Sequence, residues 1–133
     1  MKVLVFIRRY TENDAQELFS LIEREGEDWI DYWSIPNRPK YNAALRSSIV
    51  YLLFSGDELC GYLRARDDDG YGVYVYDLLV DRRHRGKAYG KLLMEQVCGD
   101  FPYDDVYVMS GVDGYYEKLG YEKEGSIFRV RRE

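Results

Sequence analysis

Three consecutive β-forming runs occupy the middle of this sequence and constrain its fold more than any other feature. The first two runs, Ile49–Phe54 and Leu59–Arg66, are separated only by the turn Ser-Gly-Asp-Glu at 55–58. A connection this short joins antiparallel neighbours in a hairpin. A third run, Gly72–Val80, follows the turn at 67–70 and alternates aromatic and aliphatic residues. The sequence therefore predicts a three-stranded antiparallel meander at the centre of the fold.

Helix and strand patterns flank this meander on both sides. Before it we predict a strand at Val3–Arg8, a helix from the capping run 11–14 to about Arg24, an irregular segment with a short helical turn at 25–40, and a helix at Tyr41–Ser48. After it we predict a helix at 88–98, a strand at Val106–Met109, a helix at Val112–Leu119 and a last strand at Ile127–Val130. This order indicates an α/β fold, and 72–109 has the pattern of a parallel crossover.

Length and composition are those of a single globular domain over residues 1–133. The chain is 46% hydrophobic and 32% charged, and no apolar run approaches the roughly 18 residues of a membrane helix. Cys60 and Cys98 lie in apolar stretches without metal-ligand spacing, and His84 is the single histidine. We therefore predict two reduced cysteines, no metal site, a cytoplasmic location, and a monomer or homodimer.

Charge separates one segment from the rest of the chain. The net charge of -5 argues against nucleic acid or an anionic membrane as a partner and suits a cationic substrate. The segment 81–87, in contrast, reads Asp-Arg-Arg-His-Arg-Gly-Lys and precedes a predicted helix. A strand-to-helix turn directs backbone N–H groups and the helix dipole at one point, and Gly86, Ala88 and Gly90 leave room for a pyrophosphate there. The alternatives are a solvated basic flank and a nucleic-acid contact.

Several motifs resemble those of the GNAT superfamily of acetyl-CoA-dependent N-acetyltransferases. The segment Arg83–Ala88 matches Arg/Gln-x-x-Gly-x-Gly/Ala, Leu78-Leu-Val80 precedes it, and Gly90 and Leu92-Leu93 follow it. A second motif, Tyr-x-x-x-Gly-Phe/Tyr, is matched by 116–121. The segment 90–126 is particularly similar to the acetyltransferase domain of the Elongator catalytic subunit. The resemblance implies a mixed, mostly antiparallel sheet of about six to seven strands flanked by helices.

The same resemblance implies direct transfer of an acetyl group from acetyl-CoA to an amine of a small molecule, peptide or protein. In such a ternary complex the protein aligns the two substrates. Backbone groups of Leu78 and Val80 are expected to hold the pantetheine arm as an added strand. Further expected cofactor contacts are Arg83, Arg85, Gly86, Lys87, Ala88, Tyr89, Gly90 and Lys91. The alternative function is a CoA-binding sensor that has lost catalysis.

Two proton-transfer groups follow from the resemblance. Tyr116 corresponds to the family's acid beside the CoA sulfur, and Tyr115 is the neighbouring alternative because successive helical residues lie about 100° apart. Asp77 is the candidate base, although many members carry the acid one place earlier, where Tyr76 stands. A water chain is the alternative to Asp77. The position of His84 in the turn favours a surface or CoA contact.

The acceptor pocket is expected in the segment 26–41. Trp29, Tyr32 and Trp33 are candidates for its wall, and the candidates for attracting a cation are Glu27, Asp28 and Asp31. The alternative is that these rings only cover the sheet. An asparagine that the family often has after its fifth strand is replaced here by Met109-Ser-Gly.

Overall fold

The structure is a computed structural model that describes residues 3–132. Its strands are β1 (Val5–Arg9), β2 (Ile49–Ser55), β3 (Glu58–Asp67), β4 (Val73–Val80) and β5 (Val106–Val108). Its α-helices are α1 (Ala15–Glu25), α2 (Ile30–Trp33), α3 (Arg38–Arg46), α4 (Tyr89–Asp100) and α5 (Asp113–Lys118). Short 3-10 turns lie at Glu12–Asp14, Glu27–Trp29, Ile35–Asn37 and Arg82–His84.

The strands form one sheet in the order β1-β2-β3-β4-β5. Neighbours are antiparallel through β4, and β5 is parallel to β4. The predicted meander and the parallel crossover at 72–109 are therefore confirmed. Helices cover both faces: α1 and α3 pack on one core through residues such as Leu18 and Leu45, and α4 packs on the other through Leu93 and Val97. No helix within residues 3–132 is long and apolar enough to span a membrane.

The prediction of six to seven strands is wrong, because the sheet within the described residues has five. The missing strand is the one predicted at Ile127–Val130, where the backbone has no regular structure and the apolar side chains are exposed. Local β propensity becomes a strand only when a neighbour supplies ladder hydrogen bonds. The adjacent edge strand, β5, is only three residues long and offers few such partners.

The segment 25–40 is more helical than predicted. Gly26 ends α1 with φ +95°, and two 3-10 turns and α2 follow before α3 begins at Arg38. Pro39 stands in the first turn of α3, where its missing N–H costs no helical hydrogen bond. The capping run at 11–14 is seen as predicted, with Asp14 accepting from the Thr11 backbone N–H at 2.8 Å.

A β-bulge divides β4 into two halves. Ala65 of β3 pairs with Val75, but Arg64 pairs with Asp77, so Tyr76 is an extra residue in β4. An extra residue reverses the alternation of side chains along a strand. Val75 accordingly packs in the core beneath α4, whereas Asp77 contacts the opposite core, beneath α1 and α3.

Candidate active site

The second half of β4 has one edge that β5 does not cover. The ladder between the two strands includes only residues 73–75 of β4, and its last bond runs from the Met109 N–H to the Val75 carbonyl at 2.9 Å. Beyond it the Asp81 N–H donates to the Cys60 carbonyl of β3 at 2.8 Å. The N–H and C=O groups of successive strand residues point in alternate directions. Those of Leu78 and Val80 therefore point away from β3, along the edge of β4 that β5 does not cover.

This open edge leads into the turn before α4. Gly86 adopts φ +83°, and Ala88 adopts φ +62° immediately before the first residue of α4. A Cβ on Gly86 would meet no heavy atom within 4 Å, whereas a Cβ on Gly90 would collide with the Tyr115 hydroxyl. The N–H groups of the first helical turn have no partner inside the helix. Strand edge, turn and helix N-terminus thus form one continuous polar surface.

The arginines of the turn are paired with carboxylates of the protein. Arg82 Nε lies 2.8 Å from Glu25 Oε1, and Arg85 Nη2 contacts the same carboxylate at 2.8 Å. Arg85 Nε also donates to the Val80 carbonyl at 3.1 Å. Glu25 is the last residue of α1, so these contacts fasten the turn to α1.

The Asp81 carboxylate forms a second set of contacts that holds the turn in place. Its carboxylate caps the 3-10 turn by accepting from the Arg83 N–H at 3.0 Å, and the guanidinium groups of Arg83 and Arg24 both lie 2.9 Å from Oδ2. Hydrogen bonds from Arg83, together with those from Arg24, hold the pKa of Asp81 far below its ordinary value. The carboxylate therefore stays ionised and paired.

Asp77 lies in a buried polar network and not at the open edge. Its Oδ2 accepts from the Tyr41 hydroxyl at 2.7 Å and from Arg64 Nε at 2.5 Å, and the Tyr62 hydroxyl is 2.8 Å from that of Tyr41. Burial, and then the charge of Asp77, raises the pKa of Tyr41 far above its ordinary value, and burial does the same for Tyr62. Both phenols remain protonated at neutral pH, and Arg64 balances the carboxylate.

The three aromatic residues predicted for the acceptor pocket lie beside this network. The rings of Tyr32 and Tyr41 are 4.9 Å apart, and those of Trp29 and Tyr62 are 6.4 Å apart. The Trp33 indole N–H donates to the Gly26 carbonyl at 2.8 Å. All three predicted rings are partly buried against the core beneath α1 and α3. Trp29 and Tyr32 therefore cover the sheet next to the Asp77 network, and Trp33 packs on the same core.

The two candidate tyrosines of α5 have different surroundings. The Tyr115 hydroxyl lies against Gly90 in the first turn of α4. Tyr116 stacks on Tyr121 at 6.1 Å and lines a cavity of about 830 Å³ between β5 and residues 121–127. Burial, and then the neighbouring Tyr115, raises the pKa of Tyr116 to about 12. Each phenol is a proton donor at neutral pH. Tyr115 lies at the first turn of α4, whereas Tyr116 lines the cavity.

Comparison with known proteins identifies the family. The model described as the acetyltransferase (GNAT) family matches residues 13–121. The chain belongs to the GNAT acetyltransferase family. It is 31% identical over 130 residues to "Histone acetyltransferase TAP1" of Glycine max, a match that covers 84% of this chain and 53% of that protein. The chain spans about half the length of the curated relatives it matches.

Solved GNAT structures share this fold. An acetyltransferase of the GNAT family from Streptococcus pneumoniae TIGR4 superposes with a TM-score of 0.73 at 23% identity, covering 97% of this chain and 100% of that one. A ribosomal-protein-alanine N-acetyltransferase from Brucella melitensis biovar Abortus 2308 gives 0.74 at 19% identity, with the same coverage. The predicted GNAT fold is therefore confirmed, apart from the strand count.

Sequence reasoning missed four residues that organise the site: Glu25, Tyr41, Tyr62 and Arg64. Tyr41 and Tyr62 stand at apolar positions of their elements, so their hydroxyl network carries no local signal. Glu25 is separated from its arginine partners by about sixty residues of chain. Arg64 is the one member with a visible signal, because it is a charged residue inside an otherwise apolar strand pattern.

Proposed function

We propose that this GNAT-family chain transfers the acetyl group of acetyl-CoA directly to an amine in a ternary complex. The observation that carries the proposal is the open edge of β4 at Leu78 and Val80, which continues into the turn 82–88 and the N-terminus of α4. An extended amide chain fits such an edge as an added strand, and a pyrophosphate fits the N–H groups of the turn. Pantetheine and pyrophosphate are joined in that order in CoA.

We infer that the basic residues of the turn have two different roles, because some hold the turn in place and others bind phosphate. Arg82, Arg83 and Arg85 pair with Glu25 and Asp81, so they set the shape of the turn. The Lys87 ammonium lies 3.3 Å from His84 Nδ1 and 6.0 Å from the centre of the Tyr89 ring, and that of Lys91 lies 3.8 Å from Glu95. Within the described residues neither is held by a short ion pair, so both can turn towards a phosphate. Backbone N–H groups and these two lysines therefore supply most of the phosphate binding.

For the chemistry we propose Tyr116 as the acid that protonates the departing CoA thiolate. A phenol with a pKa of about 12 is fully protonated at neutral pH and can donate a hydrogen bond. Tyr115 is the competing donor, because its hydroxyl lies nearer the first turn of α4. On the acceptor side, the proton of the substrate ammonium leaves to Asp77 or to water at the bulge.

The acceptor is proposed to be a cationic amine that enters past Trp29, Tyr32 and Trp33. Aromatic faces favour a cation. Relatives with this fold carry names that refer to histones, ribosomal-protein alanine and aminoglycosides, so the fold does not select one acceptor. The likeness to the Elongator acetyltransferase domain, the cytoplasmic location and the monomeric or homodimeric state remain predictions.

Two observations favour a second function, CoA binding without catalysis. Asp77 is paired with Arg64, and Met109-Ser-Gly stands where the family often has an asparagine. A protein that holds CoA but lacks an available base would serve as a sensor. Thiol release from acetyl-CoA in the presence of an amine panel separates the two functions.

The first experiment is thermal unfolding with acetyl-CoA, CoA or ATP. A ligand that binds only the folded state stabilises it by about 2.7 kcal/mol at 100 times its dissociation constant. We expect stabilisation by acetyl-CoA and CoA and little by ATP. Failure of all three to shift the unfolding midpoint would contradict the cofactor site.

Calorimetric titration with CoA then tests these two roles, phosphate binding by lysine and support of the turn by arginine. We expect Lys87→Ala to weaken binding about tenfold, because a charge-assisted phosphate contact is lost. Arg82→Ala is the matched control and should weaken binding by no more than about twofold, since its guanidinium contacts Glu25 and Arg85 still holds the turn to the same carboxylate. A larger loss for Arg82→Ala than for Lys87→Ala would show that the arginine binds the phosphate itself.

A further inference from the structure

Three different metal-binding side chains converge where β3 begins and the turn before α4 starts. They are Glu58, Cys60 and His84, and their ligand atoms all lie within 4.8 Å of one another. Glu58 Oε2 and His84 Nε2 are 2.9 Å apart. We propose that these three residues form a binding site for a divalent transition-metal ion of the zinc class.

The donor set fits that class of ion. A thiolate and an imidazole are ligands that zinc prefers, and a carboxylate oxygen completes many of its sites. The hard ions magnesium and calcium are disfavoured because a thiolate is a poor ligand for them. With three protein ligands, the remaining coordination position belongs to solvent.

The backbone brings the three ligands to one place. Residues 58 and 60 are two apart on β3, so their side chains leave the same face of the strand. The ladder pairs Leu53 with Gly61 but Phe54 with Leu59, which makes Cys60 the extra residue of a second bulge. Bulges re-aim side chains and are frequent beside functional sites. The third ligand, His84, lies in the 3-10 turn that follows the neighbouring strand, β4. The Asp81 side chain caps this turn.

The three ligand atoms lie near the separations that a tetrahedral metal ion requires. Metal–ligand bonds of about 2.0–2.3 Å place tetrahedral ligands roughly 3.3–3.8 Å apart, so the widest separation must close by about 1 Å. Cys60 is buried and fixed, whereas the Glu58 carboxylate is exposed and can rotate. Glu58 Oε2 lies 3.1 Å from Arg83 Nη2 and 2.9 Å from His84 Nε2, so a metal ion would replace the hydrogen bond between Glu58 and His84.

Metal binding has a defined proton balance. Burial raises the pKa of the Cys60 thiol, so the thiol releases a proton when its sulfur coordinates. The Lys87 ammonium lies 3.3 Å from His84 Nδ1, which assigns the imidazole proton to Nε2 in the metal-free protein. Coordination through Nε2 moves that proton to Nδ1 and ends the contact with Lys87. Glutamate and thiolate together neutralise the charge of a divalent ion.

Sequence spacing did not reveal this site because the ligands lie on separate elements. The prediction of no metal rested on the single histidine and on the absence of clustered cysteines. His84 is far from Cys60 along the chain and close to it only across the β3–β4 pair. The site also lies apart from the Asp77 network, and its test needs neither acetyl-CoA nor an amine.

The test is a Co²⁺ titration of the reduced, chelator-treated full chain, followed by absorption spectroscopy and by competition with Zn²⁺. We expect saturation near an equimolar amount, visible bands of tetrahedral Co²⁺, a thiolate-to-metal charge-transfer band, and loss of these bands on addition of Zn²⁺. Cys60→Ser should abolish the charge-transfer band. His84→Ala should weaken Co²⁺ binding at least about tenfold. Cys98→Ser is the matched control and should retain the full spectrum, because Cys98 is exposed on α4.

Unfolding midpoints of the metal-free variants establish that each one folds. Three results would overturn the proposal: no Co²⁺ bands in the unaltered chain up to millimolar metal, unchanged affinity in both Cys60→Ser and His84→Ala, or loss of the thiolate band in Cys98→Ser. None of these outcomes tests the proposed acetyl transfer.

Discussion

Arg64 and Asp77 form an ion pair across β3 and β4, directly beside the bulge at Tyr76. Arg64 Nε lies 2.5 Å from Asp77 Oδ2, and the two side chains are only 13% and 3% exposed. The bulge causes this pairing, because without Tyr76 as an extra residue the carboxylate would face the core beneath α4. Asp77, the candidate base, is therefore coupled to the stability of the sheet.

Removal of the Arg64 charge should destabilise the fold strongly. Arg64→Met leaves Asp77 as a buried carboxylate without its cation, and we expect a loss of about 3–5 kcal/mol at neutral pH. Urea denaturation measures this loss. The matched control is Arg66→Met on the same strand, whose arginine is exposed and contacts only Ser47 Oγ at 3.0 Å, with an expected change within about 0.5 kcal/mol. The double variant Arg64→Met/Asp77→Asn should recover much of the loss, and equal stability of Arg64→Met and the double variant would contradict the ion-pair argument.

Local patterns in the sequence predicted the parts of this fold that local interactions determine. The meander, the capping run and the basic glycine turn follow from alternation, short connections and residue type. The strand predicted at Ile127–Val130 failed because a strand also needs a neighbour with ladder groups to share, and propensity does not supply one. Pairing of Glu25 with Arg82 and Arg85 joins distant parts of the chain and has no local signature.

The position of Asp77 illustrates the same limit. From the sequence alone, the Asp77 side chain could lie on either face of the sheet, depending on whether β4 contains a bulge. No residue type in 72–80 identifies a bulge. Register is set by the match of whole strands to two cores, so one extra residue becomes visible only in three dimensions. The turn before α4 was easier to predict, because its geometry depends on small residues that are adjacent in sequence.

Stability should fall at acidic pH through the pair of Asp14 and Arg8. A hydrogen bond from Arg8 to the Asp14 carboxylate at 2.7 Å, with further bonds from Thr11, lowers the pKa of Asp14 from 3.8 to about 2. A lowered folded-state pKa gives stability that is present above pH 3.8 and is lost as the pH falls through about 2. Because Arg8 is partly exposed, we expect about 1–2 kcal/mol.

This pH dependence is measured by comparing unaltered protein with Asp14→Asn in urea at several pH values. The difference in free energy of unfolding should be constant between about pH 5 and 7 and should shrink between about pH 4 and 2. Asp68→Asn, in the exposed turn at 67–70, provides the control and should show no such trend. A difference that stays constant down to pH 2 would show that Asp14 acts only as a neutral helix cap.

Gly90 and Tyr115 should be energetically coupled. A Cβ at position 90 would collide with the Tyr115 hydroxyl but would lie 3.5 Å from the ring carbon that bears it. Gly90→Ala should therefore destabilise the protein, whereas in a Tyr115→Phe background it should stabilise by up to about 1 kcal/mol, because alanine favours a helix. A double-mutant cycle from thermal unfolding should give a coupling energy of about 0.5–1 kcal/mol or more. Additive effects would mean that Tyr115 turns away at no cost.

Tyr115 and Tyr116 should differ in their contribution to acetyl transfer. Once an amine that supports thiol release is found, Tyr116→Phe should lower kcat by about 100-fold or more, because the thiolate then leaves without its proton donor. Tyr115→Phe removes the same hydroxyl from the adjacent residue, and we expect less than about a threefold change in kcat if that group only packs against α4.

The pH profile gives a further test of this assignment, since a phenol with a pKa of about 12 stays protonated throughout the accessible range. Activity should therefore show no loss from deprotonation of this acid up to about pH 10. The reverse ranking, a large loss for Tyr115→Phe and a small one for Tyr116→Phe, would transfer the acid role to Tyr115. It would also mean that the hydroxyl beside Gly90 and the open edge of β4, and not the one facing the cavity under β5, meets the CoA sulfur.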